Sequence, residues 1–135
     1  MPSIVDGTTI PLLEKMAAFG EHRNTVLAGN VANIDTPNYR RQDLPVEDFE
    51  RALREAIHGG TARADQSSVG PAGLPAELLQ AREVGSPSMS FQDNNNRSIE
   101  REMMEMTKNL SMQSFAITLL TTQMNMLQAA IREQV

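Results

Sequence analysis

The chain has 135 residues, of which 40% are hydrophobic and only 4% aromatic, and a formal net charge of −5. That is one domain at most, with a core of aliphatic and Met side chains. An acidic chain lacks the basic face that displaces counterions from phosphates, which argues against nucleic acid as a partner. With no cysteine, disulfides and thiolate metal sites are excluded and the redox compartment stays open.

The opening decapeptide, MPSIVDGTTI, has neither a basic nor an apolar block, so a cleaved general-secretion signal is not expected. A first helix is expected from about Ile10 or Leu12 to Asn33. Leu13, Met16, Leu27, Val31 and Ile34 keep a spacing near three and four, with Leu12, Phe19 and Val26 beside them. Gly20, Arg23 and Asn24 interrupt this stripe midway. The run DTPNY then ends the helix, because Pro37 disfavours helical geometry at Thr36 and suits the second position of a turn. Arg40-Arg41 reads as a solvated turn, contact with an acidic neighbour being the alternative. A second, shorter helix is expected across PVEDFERALREAIHGG, with Pro45 in its first turn, Val46, Phe49, Leu53 and Ile57 on one face, and Gly59 as a left-handed stop.

Between Gly59 and Arg97 the apolar signal collapses into Gly, Pro, Ser and Ala, with only PAELLQARE able to form a helical turn or two. Such a segment cannot offset its own ordering entropy. It reads as an extended or flexible excursion, a small β-structured insert being the alternative.

The last segment carries the strongest pattern. Ser98 is the expected N-cap, with Glu100 and Glu102 at the positive end of the helix dipole. Ile99, Met103, Met106, Leu110, Gln113, Ile117, Leu120, Met124, Leu127 and Ile131 then alternate spacings of four and three, a coiled-coil repeat in which Gln113 alone is polar. A helix from Ser98 to Ile131 would be roughly 50 Å long. No charged residue lies between Lys108 and Arg132, and a second apolar row, Met112, Leu119 and Met126, lies outside the first. A membrane span has the right length, but ten amides and hydroxyls scattered around those 23 residues make insertion costly. A core helix of a monomeric bundle is a further alternative. The preferred reading is a helix enclosed by other protein, since interface cores are depleted of charge and Met adapts to several neighbours.

The fold expected is therefore all-α. The N- and C-terminal helices pair as an elongated coiled-coil hairpin whose seam is Leu13, Met16, Leu27 and Val31 against Ile99, Met103, Met106, Leu110, Ile117, Leu120, Met124, Leu127 and Ile131. The expected divisions are 1–58, 59–97 and 98–135. A hairpin buries one row and leaves the other exposed, so packing is completed only by assembly.

Chemical motifs are thin. Glu55 and His58 have the Glu-x-x-His spacing of one helix in di-iron bundles, but a second copy and two further inward Glu residues are missing. DNNNRSIERE starts like a calcium loop at Asp93 and Asn95 and then fails. Arg97 stands where an oxygen ligand belongs, Ser98 replaces the turn glycine, and Met104 replaces the last carboxylate. No catalytic constellation, cofactor site or metal site is expected, and an enzyme is not the reading.

LAGNVANIDTPNYRRQDLPVEDF nevertheless resembles the signature of the bacterial flagellar rod and hook axial proteins, whose first helix ends in an Ala-Asn-x-x-Thr-Pro-x-Tyr run. Here that run is Ala32, Asn33, Thr36, Pro37 and Tyr39, with Asn30 one turn earlier. SIEREMMEMTKNLSMQSFAITLLTTQMNMLQAAIRE is similar to the matching C-terminal segment. Where the family more often has Asp-Gly-Asn before the last helix, this chain has DNNNRS, with Asn94 in the glycine's place and able to take a left-handed turn. The short length, and NIDTPNYRRQD followed by FERAL, are most similar to the proximal rod members. The resemblance implies a non-enzymatic subunit of the basal body that polymerises into the periplasmic proximal rod, transmits torque and encloses the export channel. It implies export without a cleaved signal through the flagellar type III apparatus. The partners it implies are other rod subunits (self and FlgC-like proteins), the basal-body adaptor FliE and the membrane ring, with no direct lipid span. Another short rod protein, or a soluble helical adaptor or chaperone-like module, remains the alternative. Asn30 and Asn33 are expected to cap the helix end or bond a neighbour, and Tyr39 to anchor the turn.

Overall fold

The computed structural model describes residues 9–58, 73–84 and 94–133, with side chains in the last stretch from residue 99 onward. The element order is α1 (Ile10–Ala32), β1 (Gln42–Asp43), α2 (Val46–Ile57), a 3-10 turn (Ala76–Leu79), β2 (Arg82–Glu83) and α3 (Asn94–Glu133). Pro11 sits in the first turn of α1, where its missing N–H and fixed φ cost nothing. α2 follows Pro45 and carries Glu47 and Asp48 in its first turn and Arg54 in its last, each sign matched to the helix dipole. The expected glycine stop, Gly59, lies outside the described residues.

α3 begins at Asn94, four residues before the Ser98 expected to cap it, so Asn94 lies within the helix and not in a turn before it. Nothing from Asn94 to Arg97 is Gly or Pro, and these residues cost only tenths of a kcal/mol each in a helix (about 0.7 at most). Glu102 is consequently well inside the helix, not at its dipole end. With 40 residues, α3 is about 60 Å long.

α1 and α3 pack together as the N- and C-terminal arms of an antiparallel hairpin, the expected all-α architecture. Hydrogen bonds fix the register: Asn30 reaches Glu102, Arg23 reaches Glu105, Asn109 reaches Gly20 and Gln123 reaches Thr9. A second face of α1 carries the small apolar core. The rings of Phe19 and Phe49 stack with centroids 4.0 Å apart, and Leu44, Leu74 and Leu78 close around them. Leu74 and Leu78 come from the central segment, whose residues 73–84 dock there through the 3-10 turn and β2. β2 pairs antiparallel with β1, Gln42 opposite Glu83 and Asp43 opposite Arg82. No helix among the described residues is long and apolar enough to cross a membrane.

Candidate assembly interface

The Asn-rich motif folds into a closed joint. The amide of Asn33 donates to the carbonyl of Gly29 at 2.9 Å, alongside the backbone N–H of Asn33 at 3.1 Å, and the Ile34 N–H reaches the Val31 carbonyl at 3.4 Å. The Thr36 hydroxyl donates to Asn33 Oδ1 at 3.3 Å. Thr36 to Tyr39 then form a turn closed by the Tyr39 N–H on the Thr36 carbonyl at 3.2 Å. Pro37 occupies the second position, and Asn38 takes the third with φ of 61°. That combination is the type II pattern, and Asn tolerates the left-handed region better than other non-glycine residues.

Asn30 is the hub. Its side chain, 3% exposed, uses all four of its hydrogen-bonding capacities. Nδ2 donates to the Gln42 carbonyl at 2.7 Å and to Glu102 Oε2 at 3.2 Å, while Oδ1 accepts from the Gln42 N–H at 3.0 Å and the Tyr39 hydroxyl at 3.2 Å. The amide thus pairs with the edge of β1 as another strand would. Ala32, Thr36 and Pro37 are exposed, and Tyr39 is about one-third exposed over this hub.

A charged cluster continues the joint toward the middle of the hairpin. Arg23 grips Asp43 through Nε at 2.9 Å and Nη2 at 3.0 Å, and also reaches Glu105 Oε2 at 2.9 Å. Burial opposes the charge of Arg23, yet its hydrogen bonds to Asp43 and Glu105 outweigh that and raise its pKa. Conversely, the hydrogen bond from Arg23 holds the Glu105 carboxyl below the usual range, against some desolvation. Arg41 is not a solvated residue, as its place beside Arg40 suggests. Its Nε donates to the buried carboxylate of Glu102, and desolvation lowers its pKa. Arg40 does stay in solvent, paired with Glu83 at 3.0 Å. An open cleft of about 830 Å³ between α1, α2 and α3 gives water access to one side of the cluster.

The residues that interrupt the α1 stripe turn out to belong to it. Leu13, Met16, Gly20, Arg23, Leu27 and Asn30 alternate three and four residues and form the half-buried to buried face of the helix. Gly20 is there for proximity. A Cβ at that position would lie 3.2 Å from Gln113 Cβ, and the Gly20 carbonyl accepts from Asn109 Nδ2 at 2.7 Å. Sequence reasoning missed Gly20, Arg23, Asp43, Glu102, Glu105 and Asn109, and gave the acidic contact of Arg41 only as the alternative. The three-four spacing on α1 marks Gly20 and Arg23 as part of the buried face once polar residues are admitted to it, but it names none of their partners.

The structure divides the expected coiled-coil row. Leu13 and Leu27 are buried, and Met16, Val31, Ile99, Met106, Leu120 and Leu127 are half-buried. Met103, Leu110, Ile117, Met124 and Ile131 are instead exposed, at 46% to 60%. Their place facing α1 is taken by Glu102, Asn109, Ala116 and Gln123, one residue earlier in each heptad. Of the second row, Met112 is half-buried whereas Leu119 and Met126 are exposed, as is Phe115. α3 therefore shows solvent two apolar rows, separated by the exposed Ser111, Ser114, Thr118 and Asn125. The Glu55–His58 pair does nothing metal-like: His58 Nδ1 donates to the Arg54 carbonyl at 2.8 Å. No three His, Asp or Glu side chains gather among the described residues, and the calcium-like start at Asp93 lies outside them.

The described residues thus form a helical hairpin with a polar joint and with apolar rows of α3 left exposed. No family model matches the chain. Relatives do. The chain is 33% identical over 114 residues to the flagellar basal body rod protein FlgB of Cereibacter sphaeroides, covering 83% of this chain and 84% of that one. It is 31% identical over 106 residues to FlgB of Aquifex aeolicus, and 30% identical over 105 residues to FlgB of Bacillus subtilis, each alignment covering about three quarters of both chains. The chain belongs to the FlgB family of flagellar basal body rod proteins, and it is a structural component of the basal body rod.

Proposed function

We propose that this subunit polymerises into the proximal rod, passes torque along it, and with its neighbours encloses the export channel. Its neighbours in this reading are further copies and FlgC-like rod proteins, with a FliE-type adaptor and the membrane ring at the base. It reaches the periplasmic rod through the flagellar type III export apparatus. The observation that carries the reading is the outer face of α3, where Met103, Leu110, Ile117, Met124 and Ile131 recur every seven residues and stand in water. Fully burying one such side chain is worth about 1.5–3 kcal/mol. Five half-exposed ones therefore favour association by several kcal/mol per subunit, roughly half that value each. The absence of charge from Asn109 to Ile131 removes the usual obstacle to burying the remaining sides as well. Contacts of this kind between unlike faces extend head to tail and need not close.

The test is Ile117→Glu together with Met124→Glu in the chromosomal copy of a flagellated host. Both side chains are already about half exposed, so the purified variant should keep its helical circular dichroism. Isolated basal bodies should lack the subunit, and cells should lose motility while still exporting it. Normal rods and swimming in this variant would refute the reading.

A further inference from the structure

α3 carries two columns able to face α1. Glu102, Asn109, Ala116 and Gln123 recur every seven residues, and Met103, Leu110, Ile117 and Met124 do so one position later. Both flank the shared column of Met106, Gln113, Leu120 and Leu127. Counted by apolar area, the second column is much the better one to bury. A turn of α3 by less than the step between successive residues (about 100°) would exchange them. The structure buries the first: Glu102, Asn109 and Ala116 are 0% to 2% exposed, whereas Met103, Leu110, Ile117 and Met124 are 46% to 52% exposed.

We infer that the pairing of Glu102 with Asn30 and Arg41, together with the seating of Asn109 on Gly20, selects which face of α3 turns inward, and so makes these residues the specificity determinants of the outward, assembly-forming face. In a rotated α3 the Glu102 carboxylate leaves its partners, stranding the buried Asn30 amide and the half-buried Arg41 cation. Stranded groups of that kind are what a buried site tolerates least. At the middle of the hairpin, rotation also brings the bulk of Leu110 toward Gly20, where a Cβ of α3 already limits the approach. The hydrophobic preference is thus overruled at two points along the helix. The choice of face is a property of the single chain, while its consequence for assembly rests on the function proposed above.

The chain has no cysteine, so introduced pairs report without background. Thr9 and Gln123 side chains touch at the far end of the hairpin. In dilute full-length protein, Thr9→Cys with Gln123→Cys should form a disulfide faster than Thr9→Cys with Met124→Cys, by about tenfold or more given the side-chain directions. Adding Asn30→Ala and Arg41→Ala leaves Glu102 buried without a partner, and α3 relieves this by turning it outward. The rate ratio should then fall by about tenfold or more. Adding Glu102→Leu to that background removes the stranded charge and should restore the original ratio. If the double variant loses both cross-links by unfolding, recovery of the fast Thr9–Gln123 pair on adding Glu102→Leu supports the inference equally. An unchanged ratio in the double variant overturns it, as does a change or loss that Glu102→Leu fails to reverse. Swimming by the Ile117/Met124 variant would sink the assembly reading and leave this result standing.

Discussion

Two glycines of α1 should respond in opposite senses to the same substitution. In a helix interior Ala is favoured over Gly by about 0.8–1.0 kcal/mol, whatever the neighbours. At Gly29 nothing opposes that gain, since a new Cβ meets only the Tyr39 hydroxyl, at 4.0 Å. Gly29→Ala should therefore stabilise the chain by up to about 1 kcal/mol. At Gly20 the new Cβ meets Gln113 Cβ at 3.2 Å and Cγ at 3.4 Å. A Cβ is fixed to its backbone and cannot swing aside, so the two helices must separate by a few tenths of an ångström. Overpacking of this kind costs about 1–3 kcal/mol. Subtracting the propensity gain leaves Gly20→Ala destabilised by up to about 2 kcal/mol, and less stable than Gly29→Ala by about 1–3 kcal/mol. Urea unfolding of the full chain followed by circular dichroism measures both variants against the native sequence. The gap between them isolates the steric contribution. A Gly20→Ala chain as stable as Gly29→Ala would refute the close helix approach on which the seam depends.

Acidification gives a second check. Glu105 has its carboxyl held below the ordinary value of 4.5, chiefly by the hydrogen bond from Arg23, so the ionised form is the one that folding favours. Its contribution is complete above that value and is lost as pH falls through the lower folded-state pKa. The stability difference between the native chain and Glu105→Gln should be flat between about pH 5 and 7 and shrink below 4.5. In an Arg23→Met background the two chains should show no such convergence. At the joint, Asn33→Ala with Tyr39→Ala removes the cap on Gly29 and one bond to Asn30. Rod assembly and motility should drop while export persists, and wild-type swimming in that variant would show the joint to be dispensable.

The helices were legible because each is marked locally. α1 opens beside Pro11 and closes at Ala32 with Asn33 as its cap, a few residues ahead of Thr36-Pro37, and α2 carries its charges at the correct ends. The family likeness was legible for the same reason, being carried by contiguous residues. What periodicity could not reveal was which column of α3 faces its own chain. An apolar repeat records that a surface is buried somewhere, without saying whether by α1 or by another molecule. The residues that decide the matter are polar, and their partners lie far off in the chain: Asn30 and Glu102 are 72 positions apart, Arg23 and Glu105 are 82, and Gly20 and Asn109 are 89. No local signal accompanies such pairs. The docking of Leu74 and Leu78 was hidden likewise, since two leucines in a Pro- and Ala-rich stretch have no period to display.

On the assembly proposed above, polar contacts within the hairpin and apolar side chains left exposed outside it would be two consequences of one requirement. A subunit that must meet neighbours with a defined helix face cannot use its best hydrophobic column to hold itself together. Its internal seam must instead come from contacts that fix angle and register with little apolar area. Hydrogen bonds suit that purpose because they weaken steeply as geometry departs from ideal. Asn30 concentrates the effect. Four bonds from one amide tie the end of α1 to the edge of β1, to Tyr39 and to α3. Bending the arm relative to the hairpin would strain all four at once, at about 0.5–1.5 kcal/mol apiece and more for the one to Glu102. Loss of a single bond elsewhere would leave a hinge, but four meeting at one buried side chain leave none. On the function proposed above, a joint of that stiffness would let each subunit pass torque to the next.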